Sequence, residues 1–332
     1  MINPAYKITI GHKVVDTTDK PQASTVVGLN VAIDMETPAD SLTLELGNVD
    51  GLKPKRDDET KVELGYSDNG GLVQVLQGAV DAVEPNLTTT RVITLTPAAK
   101  LLRSFTEITF ESKTAGAIIR DLAKKASVDV ATADDGISFP AYVIDGRRSF
   151  YRHMRDLADL CGFDLYFNSD GKVVFEQFTT GKTVHIFEYA KHIVELEVDR
   201  SAPLAGQVLG FGESPGAGKG QEAWAWLTKD FSGLKGSAGS GAPTLLQEKP
   251  ALRSAEAAST AATAALTEIQ RRTLRGRLLT IGRPQVKLGD ALKLQHVPDG
   301  SLNGTYQVRG VSHRITKIGG FTTAVEFRSI SA

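Results

Sequence analysis

Residues 288–329 read LGDALKLQHVPDGSLNGTYQVRGVSHRITKIGGFTTAVEFRS, and this stretch gives the clearest indication of the fold. It holds a short run of alternating polar and apolar residues, a turn and a long alternating run with a central glycine, Gly310. A Gly319-Gly320 turn and a return run complete it. Alternation with a period of two between turn residues is typical of half-buried antiparallel strands. The stretch is therefore predicted to be a three-stranded antiparallel meander.

An earlier stretch, residues 60–95, has the same arrangement and reads TKVELGYSDNGGLVQVLQGAVDAVEPNLTTTRVITL. A lone glycine, Gly78, again falls inside the long run, where glycine usually marks a bulge or a tight bend such as a barrel corner. The simplest interpretation is that the chain contains two copies of one small β-barrel. A chance similarity between two β-meanders is the alternative, because β patterns are short and degenerate.

Length and composition indicate an ordinary globular protein. At 332 residues the chain is long enough for two or three domains, and its contents of 41% hydrophobic and 23% charged residues are average. The net charge of −1 gives no electrostatic signature of nucleic-acid binding. Cys161 is the only cysteine, which excludes a disulfide within the chain.

Targeting signals are not apparent in the sequence. The start, Met1 to Pro4, lacks the basic and apolar regions of a signal peptide. No window approaches the roughly 18 apolar residues that a membrane-spanning helix needs. We therefore expect a protein without a membrane anchor that is made in the cytoplasm and stays there or is built into a particle.

Residues 1–103 are predicted to be the first barrel and residues 104–182 an α+β insert. A short helix from Pro97 to Arg103 is expected to close the first barrel. In the insert, apolar residues at helical spacing predict helices from Thr114 to Ala126 and from Ser149 to Cys161, with Gly162 ending the second. A hairpin with an Asp-Gly turn is expected over residues 164–175.

Residues 183–332 are predicted to be the second barrel. Its opening strands are expected at Ile193–Val198 and Gly206–Gly212. Residues 214–250 are rich in Gly, Ser and Pro, which is typical of a flexible loop. Residues 251–274 are rich in alanine and predict a long helix. Its buried stripe is expected to consist of small residues, namely Ala255, Ala258, Ala262, Ala265 and Ile269.

The motifs that suggest chemistry do not fit a known site. The glycine-rich stretch around Gly212, Gly218 and Lys219 has the wrong spacing for a phosphate-binding loop, and Gly220 stands where a hydroxyl residue is needed. The six histidines lack metal-ligand spacing, and we expect them to be solvated or core residues. His185 and His192 are expected on strands, facing opposite sides.

An acidic pair is also better explained without catalysis. Asp156 and Asp159 lie opposite the apolar stripe of their predicted helix, where Arg152 and Arg155 can offset their charge. We therefore predict no catalytic, cofactor-binding or metal-binding residues, and no enzyme activity.

Trp224 and Trp226 are the only tryptophans, and they lie two residues apart beside the predicted loop. On a strand both side chains would point to the same side. One interpretation is that they pack over their own domain. The other is that they form an aromatic contact between subunits or with a docked protein.

Two runs of the insert resemble the middle domain of baseplate hub proteins from contractile phage tails, often called the late control D family. These are residues 110–123 (FESKTAGAIIRDLA) and residues 148–163 (RSFYRHMRDLADLCGF), followed by the Asp-Gly hairpin. Gly289-Asp290, the Asn303–Val308 strand and the segment Val311-Ser312-His313 also match that group. The resemblance covers most of the chain in order. Related injection machines use similar hubs.

The resemblance implies a mainly β fold with two tail-tube-like antiparallel β-barrels and a small helix/hairpin domain. It further implies a structural baseplate hub that forms a homotrimer. Such a ring would present six barrels, matching the hexameric tail tube on one side and the trimeric spike on the other, around a central channel. The implied partners are the tail tube protein, a spike protein and other baseplate proteins, and the implied location is a phage tail or contractile injection particle.

Two expectations concern what the family's relatives carry besides the hub. Because the sequence ends at Ala332, just past the second barrel, the spike is expected to be a separate polypeptide. The lysozyme-type domain of some relatives is not recognised here. The alternative function is a carbohydrate-binding or cell-wall hydrolase module of a phage particle, with Trp224 and Trp226 as a platform for the sugar.

Overall fold

The computed structural model describes residues 3–19, 25–47, 53–68, 71–180, 183–212 and 235–330. Within these residues the chain forms 21 β-strands and four α-helices, so it is mainly β. The strands of the N-terminal part are β1 (Pro4–Ile10), β2 (Lys13–Asp16), β3 (Val26–Asp34), β4 (Ser41–Gly47), β5 (Glu59–Tyr66), β6 (Gly71–Pro85) and β7 (Thr89–Leu95). Those of the middle part are β8 (Ile108–Thr114), β9 (Val130–Ala133), β10 (Ser138–Ile144), β11 (Asp164–Phe167) and β12 (Val173–Glu176).

The C-terminal part holds the remaining strands. They are β13 (Val184–Glu188), β14 (Glu195–Arg200), β15 (Gln207–Phe211), β16 (Lys235–Gly239), β17 (Thr244–Glu248), β18 (Leu274–Ile281), β19 (Ala291–Gln295), β20 (Gly304–Thr316) and β21 (Gly320–Ser329). The helices are α1 (Ala98–Leu102), α2 (Ala115–Lys125), α3 (Phe150–Cys161) and α4 (Ala255–Arg271).

The N-terminal strands form an antiparallel sheet in the order β3–β4–β7–β6–β5–β1–β2. The alternation seen in the sequence is reproduced in the burial, because Leu42, Leu44 and Leu46 of β4 point into one core while their neighbours stay partly or fully exposed. The three strands of the early meander, β5, β6 and β7, pair consecutively as predicted.

The C-terminal part repeats this arrangement. Strands β19, β20 and β21 form the predicted late meander, and the sheet runs in the order β14–β18–β21–β20–β19–β13. Without β2, the N-terminal half contributes six strands to the large sheet, as does the C-terminal half. When the six strands of each half are numbered along the chain, both halves have the spatial order 2–3–6–5–4–1. The halves differ at one edge, where β1 is antiparallel to β5 but β13 is parallel to β19.

Strand β20 joins the two halves into one 13-stranded sheet. Its first residues pair with β19, and the segment from Gly310 to Thr316 pairs with β3 of the N-terminal half. Val311 packs into the core of the C-terminal half, whereas Ile315 packs into that of the N-terminal half. His313 lies between them on the same strand, so a single strand contributes to both cores.

The glycines inside the two long strands have close neighbours, a backbone carbonyl at Gly78 and a side-chain carboxylate at Gly310. A Cβ on Gly78 would lie 2.2 Å from the carbonyl oxygen of Leu95, and one on Gly310 would lie 2.7 Å from Asp34 Oδ2. The predicted bulges lie nearby, between Val80 and Ala82 in β6 and between Val308 and Gly310 in β20.

The middle part folds as predicted, with two helices and a hairpin. Thr114 caps α2, because its hydroxyl oxygen accepts a hydrogen bond from the Ala117 N–H (3.2 Å). Gly162 ends α3 with a φ of 69°, a left-handed conformation that glycine tolerates. The hairpin of β11 and β12 turns at Gly171, whose φ is 71°. The buried faces of α2 and α3 meet these strands in one core.

Two expectations for residues 183–274 are corrected. The strand predicted at Gly206–Gly212 forms (β15), but it lies in a separate three-stranded sheet, β16–β15–β17, and not in the second barrel. The loop predicted at 214–250 is wrong for residues 235–248, which include β16 and β17. Glycines there favour close packing over flexibility, because a Cβ on Gly236 would lie 2.2 Å from the Ala258 carbonyl carbon of α4. Residues 213–234 lie outside the described ranges.

The buried stripe of α4 differs from the predicted one. Ala258 and Ala262 are buried as expected, but Ala255 is exposed. The reason is that α4 contacts α3 on one side and strands β15 and β16 on the other, so it buries a wider face. That face is formed by Ala257, Ala258, Ala261, Ala262, Ala264 and Leu266.

Candidate functional site

The turn between β3 and β4, residues 35–40, contacts all three parts of the chain. The Met35 N–H donates to the Arg309 carbonyl oxygen in β20 (2.9 Å), and Arg155 Nη1 in α3 donates to the Met35 carbonyl oxygen (2.7 Å). The Met35 side chain is fully buried in the C-terminal core, and Ala39 packs against the core of the middle part. The turn therefore fixes the N-terminal sheet to both of its neighbours.

A set of charged and polar side chains surrounds this turn, and we call it the junction cluster. It consists of Glu36, Arg155, Asp164, Glu268, Arg272, Gln307, Arg309 and Arg328.

Arg309 lies at the centre of the junction cluster and is only 7% exposed. Its Nη2 donates to Glu36 Oε1 of the turn (2.6 Å), and its Nη1 donates to Asp164 Oδ1 of β11 (2.5 Å). One guanidinium therefore links a side chain of the N-terminal part to a side chain of the middle part. Hydrogen bonds between charged groups are stronger than neutral ones and hold the planar guanidinium in a fixed orientation.

Arg328 of β21 extends the cluster to helix α4. Its Nη1 donates to both carboxylate oxygens of Glu268 (2.6 Å each), and its Nε donates to Gln307 Oε1 (3.1 Å). Gln307 in turn donates through Nε2 to Asp164 Oδ2. Buried charges are costly unless they are paired and hydrogen-bonded, and these partners meet that requirement.

The arginines keep Glu36 and Glu268 ionised. Burial by itself would raise the pKa of Glu36, but the hydrogen bond from Arg309 and the charges of Arg309, Arg155 and Arg272 hold it below its usual value. Burial would likewise raise the pKa of Glu268, and Arg328 together with Arg272 lowers it. The cluster is thus a set of stable ion pairs, which suits a structural joint better than a proton-transferring site.

In contrast to Glu36 and Glu268, Asp40 at the end of the turn has a pKa above its usual value. It is 4% exposed, and its Oδ1 accepts a hydrogen bond from the Asp34 N–H (2.8 Å). Burial raises the pKa of Asp40 to about 7, because the hydrogen bond from Asp34 only partly offsets the loss of water.

The residues that the sequence singled out for binding are placed as follows. Trp224, Trp226, Gly218 and Lys219 lie in 213–234, outside the described residues. Gly212 is described, and a Cβ there would lie 2.1 Å from the Leu252 carbonyl oxygen. Close packing therefore accounts for this glycine without a phosphate.

His185, His192, Asp156 and Asp159 have hydrogen-bond or ion-pair partners. His185 Nε2 lies 2.8 Å from Asp290 Oδ2, while His192 lies in a turn and not on the predicted strand. Arg155 pairs with Asp159 as expected (3.2 Å). Asp156 pairs with Arg148, which precedes the helix and is not one of the two arginines expected to offset the acidic charge.

The described residues hold neither a metal-binding group of side chains nor a membrane-spanning helix. No group of three or more His, Cys, Asp or Glu side chains in this part of the chain is arranged to hold a metal ion. No helix within the same ranges is long and apolar enough to cross a membrane.

The junction cluster was not predicted from the sequence, although a signal exists. Arg309 follows Val308 in an apolar strand, and Arg328 follows Phe327 in another. A charged residue within a buried strand needs a buried partner. The identity of that partner does not follow from local pattern, since Asp164 and Arg309 are 145 residues apart.

No protein-family model and no curated protein matches the chain. Among solved structures it is similar to the 43 kDa tail protein of prophage MuSo2 from Shewanella oneidensis, with a TM-score of 0.73 and 14% identity over 97% of this chain and 98% of that one. A tail protein from Neisseria meningitidis MC58 gives a TM-score of 0.72 and 11% identity over 99% and 97% of the two chains.

A third similar structure is the E. coli c3393 protein, with a TM-score of 0.64 and 9% identity over 98% of this chain and 77% of that one. That protein is a component of the type VI secretion system and is structurally similar to the bacteriophage T4 tail proteins gp27 and gp5. At these identities the likeness concerns the fold. The chain therefore has the fold of these phage tail and type VI secretion proteins.

Proposed function

We propose that the chain is a structural hub in the baseplate of a contractile tail or injection system. In this proposal three copies form a ring around a central channel, with the hexameric tail tube on one face and a trimeric spike on the other. The proposal also holds that the protein is not an enzyme. It rests on the fold, which is that of phage tail proteins and of a type VI secretion component.

The repeated strand order is the observation that carries this proposal. Both halves of the 13-stranded sheet follow the same order, and β20 joins them through β3. The repeat supports a division into a first barrel at 1–103, an insert at 104–182 and a second barrel at 183–332. Head-to-tail contacts close into rings when the rotation permits, so three chains with two like barrels each can present six equivalent units.

The junction cluster has a role in this proposal. A ring that transmits force between tube and spike needs parts that do not move relative to one another. Ion pairs from Arg309 to Glu36 and Asp164, and from Arg328 to Glu268, connect the two sheets, the insert and α4. These pairs would hold the halves in one relative orientation, and that orientation sets the curvature of the ring.

The mass of the protein in solution tests the proposal. One chain is 35.5 kDa, so sedimentation velocity at micromolar concentration is expected to give a species near three times that mass. A monomer that persists as the concentration is raised would contradict the proposal, since a hub ring is an obligate assembly, and the interfaces of obligate assemblies bury about 2,000 Å² or more.

We further propose that Trp224 and Trp226 contact another subunit or a docked protein, since aromatic residues are enriched in such interfaces. The Trp224→Ala/Trp226→Ala variant is expected to lose trimer mass or binding to the tube or spike protein, while keeping the circular dichroism spectrum. Phe105→Ala, which removes another exposed aromatic side chain (55% exposed), serves as the matched control. If the double variant still forms the trimer and still binds the tube and spike proteins, neither tryptophan is part of these interfaces.

A further inference from the structure

The pairing of β20 with β3 connects the two halves of the large sheet, and we call it the internal pairing. β20 is the fifth of the six repeated strands of its half, and β3 is the second of its own half. The repeat contains these two strands once more, because β6 is the fifth strand of the N-terminal half and β14 is the second strand of the C-terminal half. Within the described ranges β14 pairs only with β18, and β6 beyond Val80 pairs only with β7. Both strands therefore have an open edge.

The bulges in β20 and β6 show which residues of these two strands correspond. Counted from the bulges, Val311 of β20 corresponds to Val83 of β6, and Ile315 corresponds to Leu87, which follows β6. Val311 and Ile315 are buried, one in each core that the internal pairing brings together. Val83 is only partly buried, and the Leu87 side chain is 95% exposed. The apolar side chains of β20 thus have apolar counterparts that lie partly or fully at the surface.

Strand β14 differs from β3 in the same way. The registers, followed from strand to strand across each sheet, match Leu196 with Leu29 and Val198 with Val31. Leu29 and Val31 are buried, and β20 lies beside them. Leu196 and Val198 pack against the core of the C-terminal half but stay partly exposed. A strand placed along the edge of β14 would complete their burial.

The backbone groups at both open edges point in the direction that pairing requires. The Ser201 N–H donates to a carbonyl oxygen at the start of β18 (2.9 Å), so Val198, an odd number of positions away, directs its N–H and C=O to the open side. The Asn86 N–H donates to the Thr89 carbonyl oxygen of β7 (2.8 Å), so Val83 directs its backbone groups away from β7 by the same alternation.

We propose that β14 of one copy pairs antiparallel with the end of β6 of the next copy, so that the contact between chains repeats the internal pairing. This inference rests on the hub proposal and specifies the surfaces that close its ring. In the register of the internal pairing, Glu84 lies opposite Asp199 of the next copy. Leu87 lies opposite Leu196 and covers the apolar edge of the neighbour's core. The contact is head-to-tail, which is the kind that closes a ring.

The contact between chains is shorter than the internal pairing. β20 pairs with β3 over seven residues, whereas β6 ends at Pro85, which has no N–H and offers only its carbonyl oxygen. Proline and charged side chains are typical of edges that are protected against indiscriminate pairing. The two opposed acids already have cationic partners, since Glu84 lies 3.6 Å from Arg91 and Asp199 lies 2.9 Å from Arg275. These arginines offset the repulsion between the acids.

Disulfide formation tests the register. Oxidised Glu84→Cys/Asp199→Cys should give covalent dimers and trimers on non-reducing gels, because residues directly opposite in an antiparallel pair have Cα atoms about 4.5–5.5 Å apart. A bond within one chain is not expected, since β6 and β14 lie seven places apart in the strand order. Glu84→Cys/Glu195→Cys is the control, because it moves one thiol about 13 Å along β14. Equal cross-linking of the two variants would overturn the inference.

Leu87→Asp tests the apolar contact without a cross-link. Sedimentation should show that the concentration for half-assembly of the trimer increases by about tenfold or more, because the buried leucine is replaced by a charge. Ile318→Asp, at a fully exposed position in the turn between β20 and β21, is the control and should assemble normally. A natural trimer that Leu87→Asp forms equally well would overturn this inference and leave the hub proposal standing. A natural protein that stays monomeric would contradict the hub proposal and, with it, this inference.

Discussion

Arg309 and Asp164 form a buried ion pair between β20 and β11, and both side chains are 8% exposed. The pair joins the C-terminal sheet to the insert, and the same guanidinium reaches Glu36 of the N-terminal part. Removing one partner of such a pair leaves the other charge buried and uncompensated.

Arg309→Met is therefore expected to lower the free energy of unfolding by about 3–5 kcal/mol, because Asp164 and Glu36 lose their shared cation. Urea denaturation followed by circular dichroism, at one fixed protein concentration, measures the effect. Arg275→Met is the control, since its pair with Asp199 is 72% exposed on the arginine side and exposed pairs contribute only about 0–1 kcal/mol. Equal losses in the two variants would mean that the junction cluster does not hold the parts together.

The raised pKa of Asp40 predicts that the protein loses part of its stability as pH rises. The folded-state pKa of Asp40 is about 7, above the ordinary value of 3.8, so the unfolded chain releases this proton first. The resulting stabilisation is complete below about pH 4 and is lost as pH rises to about 7, with a total of about 4 kcal/mol.

Asp40→Asn removes this titration while keeping the size of the side chain. The stability of the natural protein relative to Asp40→Asn should fall between pH 4 and pH 7 and stay level above it. Asp129→Asn, at an exposed position, is the matched control. A difference between the natural protein and Asp40→Asn that does not change with pH would show that Asp40 is ionised in the folded state throughout.

The lowered pKa of His313 predicts the opposite pH dependence, a loss of stability as pH falls. Burial lowers the pKa of His313 from 6.5 to about 3, so the unfolded chain takes up this proton first as pH falls. The stabilisation is fully present above about pH 6.5 and is lost towards pH 3, by roughly 4 kcal/mol. In His313→Phe the decrease of stability between pH 6.5 and pH 4 should be smaller by several kcal/mol. Unchanged acid sensitivity in this variant would rule out His313 as its source.

The two strand glycines Gly78 and Gly28 should respond differently to alanine. A Cβ on Gly78 would collide with the Leu95 carbonyl at 2.2 Å, whereas the nearest atom to a Cβ on Gly28 is 3.6 Å away. Gly78→Ala is therefore expected to destabilise by about 1–3 kcal/mol, as overpacking does. Gly28→Ala should change stability by less than about 1 kcal/mol, since glycine itself is weakly unfavourable in strands. Thermal unfolding distinguishes the two outcomes, and equal shifts would mean that β6 relaxes freely.

The sequence predicted the elements whose signals are local. Helix α3 begins at Phe150 and ends before Gly162, and the late meander from Ala291 to Ser329 forms as expected. These elements are determined by periodicity, capping and turn residues within a few positions of each other.

Features that depend on distant pairing were missed or misplaced. The separate sheet of β15, β16 and β17 forms because glycines such as Gly236 let strands approach α4 closely, and no periodic pattern records this. The junction cluster joins Glu36 to Arg309 across 273 residues. The spacing of charges within a short stretch of sequence predicts ion pairs along one helix, such as Arg155 with Asp159. It does not predict ion pairs between sheets.

Electron microscopy of the purified protein is the decisive test of the proposal that a fold repeated within one chain allows three copies to form a ring of six similar units. Class averages viewed down the axis are expected to reveal a closed ring with three-fold symmetry and six peripheral lobes of similar size. Isolated particles of one chain, or rings whose number of lobes is not twice their number of chains, would contradict the account.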